Sequence, residues 1–274
     1  MSTAEIIEAV TERKFDIIDI NDLICLKAIV PTDEERERFG LFNGDSSVLI
    51  PSEQFMYHMS RVPQFTWMVN ALIFEAQFPG ECESINNKLT ALCALLTKIR
   101  ESPGLKTLFG LVLQLGNLAN YDYGRVPAHM RIRGKALGFT MDSLLKLNEV
   151  KSVDRKATLL NYLVIMVAEK HENLLSIPDE FIEMGIVKHW DSDAIYSDLA
   201  QLSLHFNKFN SLKPESEETA QLKIFRESQS AFFNMAKIKL EKLSKLAAAA
   251  KQAWTETATY LSEDPADKKP EELL

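Results

Sequence analysis

Cations, and not nucleophiles, are the residues of this chain whose spacing could do chemistry. Residues 123–141 carry Arg125, His129, Arg131, Arg133 and Lys135 and no acid. In a protein of formal net charge −8, one basic segment can steer an acidic partner toward one face. The same pattern is also the ordinary form of a solvated loop, and both readings stand at this level. A second cluster, Lys151, Arg155 and Lys156, lies in a polar stretch beside Glu149 and Asp154. Catalytic arrangements are missing: His58, His129, His171, His189 and His205 show no H-E-x-x-H or triad spacing, and no G-x-S-x-G occurs. Gly134-Lys135 lacks the preceding glycine and the strand of a phosphate loop. The chain reads as non-enzymatic, with no metal or cofactor expected.

Bulk properties narrow the class further. A chain of 274 residues, 46% hydrophobic and 26% charged, can bury a substantial core. Cys25, Cys82 and Cys93 support neither a disulfide framework nor a zinc site, so a cytoplasmic, reducing environment is expected. No apolar run approaches the roughly 20 residues of a bilayer span, and no membrane partner is expected. The net charge argues against nonspecific nucleic-acid binding over the whole surface. RNA binding through the basic loop, with Tyr121 and Tyr123 stacking on bases, is a subsidiary reading.

The elements that must position these cations are helical, because glycines and prolines fall between periodic apolar segments and alternating β-branched runs are scarce. Helices are expected over 16–30, with Ile17, Ile20, Leu23, Ile24 and Leu26 in register, and then from an acid-rich start after Pro31 and Thr32. Pro51 opens another with Phe55, Met56 and Met59 inward, followed by 64–78, 82–101 and 106–118. The last carries a stripe of Leu108, Leu111, Val112 and Leu115. Residues 158–170 are apolar on three sides, as in the central helix of a bundle. From Ile195 a seam of Ile195, Leu199, Leu202, Phe206 and Phe209 steps by four and three. After a turn at Pro214, a second seam runs through Leu222, Phe225, Phe232, Ala236, Leu240, Leu243, Ala247, Ala250 and Trp254. Two such seams can bury each other as an antiparallel hairpin.

The block 116–163 holds fixed spacings that helix packing does not demand: Gly116, Asn117 and Asn120; Ala136, Gly138 and Phe139; Leu144, Lys146 and Leu147; Lys151, Ser152, Asp154 and Lys156; Thr158, Leu159 and Leu160. This order resembles the signature of the formin homology-2 domain. Upstream Pro31, Thr32, Glu34 and Glu35, the Gly44-Asp45 turn, Pro51 and Val62-Pro63 are similar to the same family, as is the downstream segment 260–274. The resemblance implies an all-α, elongated domain with a globular knob (about 1–115), a post carrying the signature block (116–190), an antiparallel coiled-coil arm (191–260) and a C-terminal tail (261–274). The family's lasso and first knob helix have no counterpart before Met1, so an interior part of the domain is expected, weak on its own.

What the resemblance implies for function is actin binding, with filament nucleation and barbed-end elongation when two halves join lasso to post. Lys151, Arg155, Lys156, Arg131 and Arg133 would meet actin; the bland reading of Lys151 is a solvated or salt-bridged turn lysine. Gly116, Asn117, Asn120, Gly138 and Phe139 would form the rim that receives the lasso of a second formin subunit. Ala119 stands where the family has a larger apolar residue, Asn161 where it usually has histidine, and the 121–135 loop is longer than most. Locally, Gly116 and Asn117 tolerate the left-handed conformation that stops a helix. Phe139 packs inward beside Leu144 and Leu147, with Gly138 permitting close backbone approach. The rival reading is a scaffold without actin that accepts another formin's lasso.

Overall fold

The computed structural model describes residues 2–119, 136–152, 154–211 and 220–273. The fold is all-α, and none of the described residues forms a strand. Helix starts follow local chemistry. Ser2, Asp19 and Thr32 each accept from the backbone three residues on, while Glu5, Asp22 and Glu35 reach back to the cap. These reciprocal caps open α1 (Thr3–Thr11), α2 (Ile20–Ile29) and α3 (Asp33–Leu41). Asp19 thus starts α2 later than the hydrophobic pattern suggests, leaving Ile17 in a turn and exposed while Leu23 and Leu26 are buried. Pro51 opens α4 (Pro51–Ser60), where the Glu53 carboxylate accepts from Ile50 N at 3.2 Å.

Residues 64–78 and 82–101, expected as separate helices, are one: α5 runs Phe65–Glu101 through Pro79 and Gly80. Proline removes one bond to the carbonyl four residues back, that of Glu75. Buried residues on both sides of the break, Leu72, Phe78, Ile85 and Leu89, keep the helix continuous. The next helix, α6 (Pro103–Ala119), begins earlier than expected because Pro103 takes its first position behind Ser102, whose Oγ accepts from Leu105 N at 3.1 Å. A 3-10 helix covers Met141–Asn148, and α7 is Leu159–Lys170. This last corrects the bundle-centre expectation: only Leu163 and Val167 are buried, while Tyr162, Val164 and Ile165 are exposed. Short helices α8 (Ile177–Glu180) and α9 (Met184–Val187) precede α10 (Ser192–Ser211) and α11 (Ala220–Tyr260), and α12 is Pro270–Leu273.

Two compact units emerge, residues 1–86 with 197–245 and residues 87–196 with 246–274. Unit 1 has a core of Leu23, Leu26, Met59, Phe65, Met68, Leu72, Leu222 and Phe225. Edge-to-face rings extend it: Phe74 with Phe78 at 5.4 Å, and Phe78 with Phe232 at 5.5 Å. Within this unit Phe206 meets Phe233 at 5.8 Å, while Phe209, later in α10, shares a cleft with Gln229, earlier in α11. The two helices are antiparallel there. In unit 2 the seam of α11 shrinks to Ala247, Ala250, Ala253 and Ala258, all buried. Small residues allow α5 close enough for the Thr257 hydroxyl to donate to Leu96 O at 3.2 Å. A separate cluster of Leu111, Val112, Leu147, Leu163, Val167 and Leu174 joins α6, the 3-10 helix and α7.

One polar network interrupts the core of unit 1. Arg13, in left-handed conformation at φ 57, donates to the Glu75 carboxylate and to Ser228 O, and Gln229, fully buried, donates to Glu75 at 3.3 Å. Glu75 therefore ties the end of α1 to α11. Glu75→Ala leaves both donors without that acceptor and should cost about 2–4 kcal/mol in urea unfolding, since breaking a mostly buried pair strands the other charge. A loss under ~0.5 kcal/mol would show the network to be solvated.

Candidate functional site

Two features of unit 2 gather the candidate residues: a cleft and a turn. Asn117 lies in the last turn of α6 and clamps the chain at Ala136. Its side-chain amide donates to Ala136 O at 3.0 Å and its carbonyl accepts from Ala136 N at 2.8 Å. One side chain so satisfies both backbone groups of a residue 19 positions away, as a neighbouring strand would. Three residues on, Phe139 turns inward, edge-on to Phe109 at 5.9 Å and against the cluster containing Leu147, as expected.

The clamp shapes a cleft of about 330 Å³. Gly116, Asn117, Gly138 and Phe139, four residues of the expected docking rim, line it together, with Val112 and Leu159 among the apolar walls and Lys146 also lining it. Asn120, Arg131 and Arg133, and with them the stacking tyrosines 121 and 123, lie outside the described residues. The glycines do not act as the residue types suggested. Helix α6 continues through Gly116 and Asn117 to Ala119, and Asn117 is not among the left-handed residues. A Cβ on Gly116 or Gly138 would meet nothing within 4 Å, so Gly138 allows no close backbone approach. What their missing side chains leave open is the cleft itself.

The turn is 150–159. Lys151 and Thr158 form an antiparallel bridge, Ser152 N donates to Ala157 O at 2.8 Å, and Leu159 N donates to Val150 O at 2.9 Å. Inside it the Ser152 hydroxyl donates to the Asp154 carboxylate, which also accepts from Lys156 N at 3.2 Å. These bonds hold the Asp154 carboxyl below its ordinary value, and Arg155 sits at φ 59. With Asp154 turned inward to Ser152, Lys151, Arg155 and Lys156 are exposed and make no ion pair among the described residues. Lys151 is therefore not a salt-bridged lysine. The turn leads directly into α7, capped by Thr158, whose hydroxyl accepts from Asn161 N at 3.3 Å while Asn161 Oδ1 accepts from Thr158 N at 2.8 Å. Asn161, which stands where the resembled family usually has histidine, completes this cap.

Ala136 and Lys146 gained no docking role from the sequence. Ala136 acts through its backbone, which a reading of side chains does not see; Lys146 carried a signal in its motif position. Among the described residues no group of three or more acidic, histidine or cysteine side chains is placed to hold a metal. Burial raises the Cys82 thiol to about 11, leaving a poor nucleophile.

A family model described as Formin Homology 2 Domain matches residues 1–274. Formin-like protein 6 of Oryza sativa subsp. japonica is 26% identical over 267 residues, 97% of this chain and 19% of that protein. Formin-like proteins 18 and 17 of Arabidopsis thaliana are each 28% identical over 251 residues, 91% of this chain, and the match covers 21% and 49% of their lengths. The chain thus spans from about a fifth to half the length of these relatives.

Asn117→Ala removes both bonds to Ala136 and should destabilise unit 2 by about 1–2 kcal/mol in urea unfolding, with Asn117→Asp, which keeps only the acceptor, in between. Equal stability of all three proteins would mean the clamp is not formed in solution. Asp154 gives a pH signature. Its folded pKa lies below the unfolded 3.8, so the turn is favoured above that value and the contribution is lost as pH falls through the folded pKa. The Lys156 amide resonance should follow this titration with a midpoint below 3.8; a midpoint at or above it would contradict the hydrogen bonds described.

Proposed function

Since the chain belongs to the Formin Homology 2 Domain family, we propose that it is a non-enzymatic actin-assembly module, acting at the actin cytoskeleton, in which unit 2 supplies the post. Lys151, Arg155 and Lys156 contact actin, and the Asn117 cleft receives the lasso of a second formin subunit. The observation that carries this reading is three exposed cations on a hydrogen-bonded turn that make no ion pair among the described residues. Long side chains on a fixed backbone lose less freedom on meeting carboxylates than the same residues on a mobile loop. Arg131 and Arg133 extend the basic face in this proposal. The nine-tenths or more of the chain shared with formin-like proteins, at 26–28% identity, supports the assignment.

The mechanism is geometric. Each module holds actin subunits in filament-like register, offsetting the entropy that opposes a nucleus. Two modules joined lasso to post are bivalent, so one can hold the barbed end while the other steps. An apolar cleft with open space over two glycines suits an inserted apolar side chain, and this favours a second reading in which the cleft captures another formin's lasso without actin contact.

Co-sedimentation with actin filaments tests the first reading and separates it from the second. The chain should pellet saturably, and Lys151→Asp with Lys156→Asp should weaken pelleting about tenfold or more while leaving the cleft intact. Undiminished pelleting by the charge-reversed protein would remove the turn from the actin interface. No pelleting by either protein, with retained capture of a lasso peptide, would establish the second reading.

A further inference from the structure

Unit 1 holds a groove of about 550 Å³, larger than the cleft of unit 2 and matched by none of the motifs in the sequence. Its aromatic lining is Trp67, Phe74 and Phe209, with Phe74 and Phe209 stacked at 5.3 Å and a 33° tilt. Lys27 from α2, Arg36 from α3 and Lys208 from α10 also line it, against a single lining acid among the described residues, Glu81. The chain as a whole carries 39 acids and 31 Lys and Arg, so this bias runs against the general surface.

Lys27 and Lys208 form no ion pair among the described residues. Arg36 meets only Asp33 at 3.8 Å, a carboxylate that is 99% exposed, a pairing worth little. The Nε1–H of Trp67, a lining residue, is buried without an acceptor. From this we propose that the groove is a binding site for an acidic polypeptide segment bearing large apolar side chains, independent of the cleft and turn of unit 2. The apolar side chains cover the half-buried Trp67 and Phe209 and the carboxylates pair with Lys27, Arg36 and Lys208, the division of labour of a desolvated centre and a charged rim.

A nucleotide or RNA fits less well. Stacking needs an open ring face, but Phe74 is 6% exposed and Trp67 packs edge-on against Phe225 at 5.6 Å. A free phosphate would satisfy the cations and leave the half-buried Trp67 and Phe209 uncovered.

Fluorescence anisotropy of the full chain with a fluorescein-labelled peptide, Glu-Glu-Leu-Phe-Glu-Glu, tests the site. Binding should saturate, weaken with salt, and fall by at least about tenfold in the Lys27→Glu/Lys208→Glu double variant, whose changes lie on exposed side chains and leave the core intact. A peptide with serine in place of leucine and phenylalanine should bind as weakly as the wild-type peptide does to the variant. The proposal is overturned by equal binding to wild type and variant, by equal binding of the serine peptide, by no binding at all, or by tighter binding of a single-stranded ribo-oligonucleotide. None of these outcomes depends on whether Lys151 meets actin.

Discussion

Burial of one helical seam, from Leu222 to Ala258 along α11, is the constraint on which both units rest. A single helix of 41 residues cannot hide its own apolar stripe, and α5 and α10 cover it in unit 1 and α5 in unit 2. Side-chain size along the seam decides how. In unit 1 Phe225, Phe232 and Phe233 present rings, and the answer is an aromatic core drawn from α5 and α10. In unit 2 alanines bring α11 against α5 at hydrogen-bonding distance, and the Arg100–Glu256 ion pair lies along the same contact. The buried Gln229 in the middle of the aromatic stretch is paired with Glu75, which penalises any register that would place an apolar residue there.

Against that scaffold, the candidate site costs little structure. One asparagine ties α6 to Ala136, two glycines leave a cleft open, and one Ser–Asp pair folds a turn so that its cations face solvent. Hydrogen bonds of this kind are modest individually, yet each fixes a backbone segment that carries the proposed contacts. Within the block Asn117 reaches Ala136, Ser152 reaches Asp154, and Thr158 finds Asn161 three residues on.

Much of this was legible in the sequence because periodic burial is written in residue type. The seams through Ile195 to Phe206 and Leu222 to Trp254 are buried as expected, as are Met59, Leu111 and Val112. Where the reading failed, an interaction outranked a local propensity. Pro79 and Gly80 are breakers by type, but the buried face of α5 on both sides outweighs the single lost bond. Gly116 and Asn117 read as a helix stop, whereas one keeps a surface open and the other is a clamp. The exposed apolar residues of α7 look like core, since composition does not state which faces find partners. The groove of unit 1 left no trace in sequence because α10, which brings Lys208, lies far along the chain from the α2 and α3 that bring Lys27 and Arg36.

Hydrogen–deuterium exchange of the chain with and without actin tests the central claim most directly, because it reports where a partner sits without altering a residue. The account predicts slowed exchange across 150–159 and the start of α7 on adding actin. Protection confined to other segments, or none at concentrations that saturate pelleting, would contradict it.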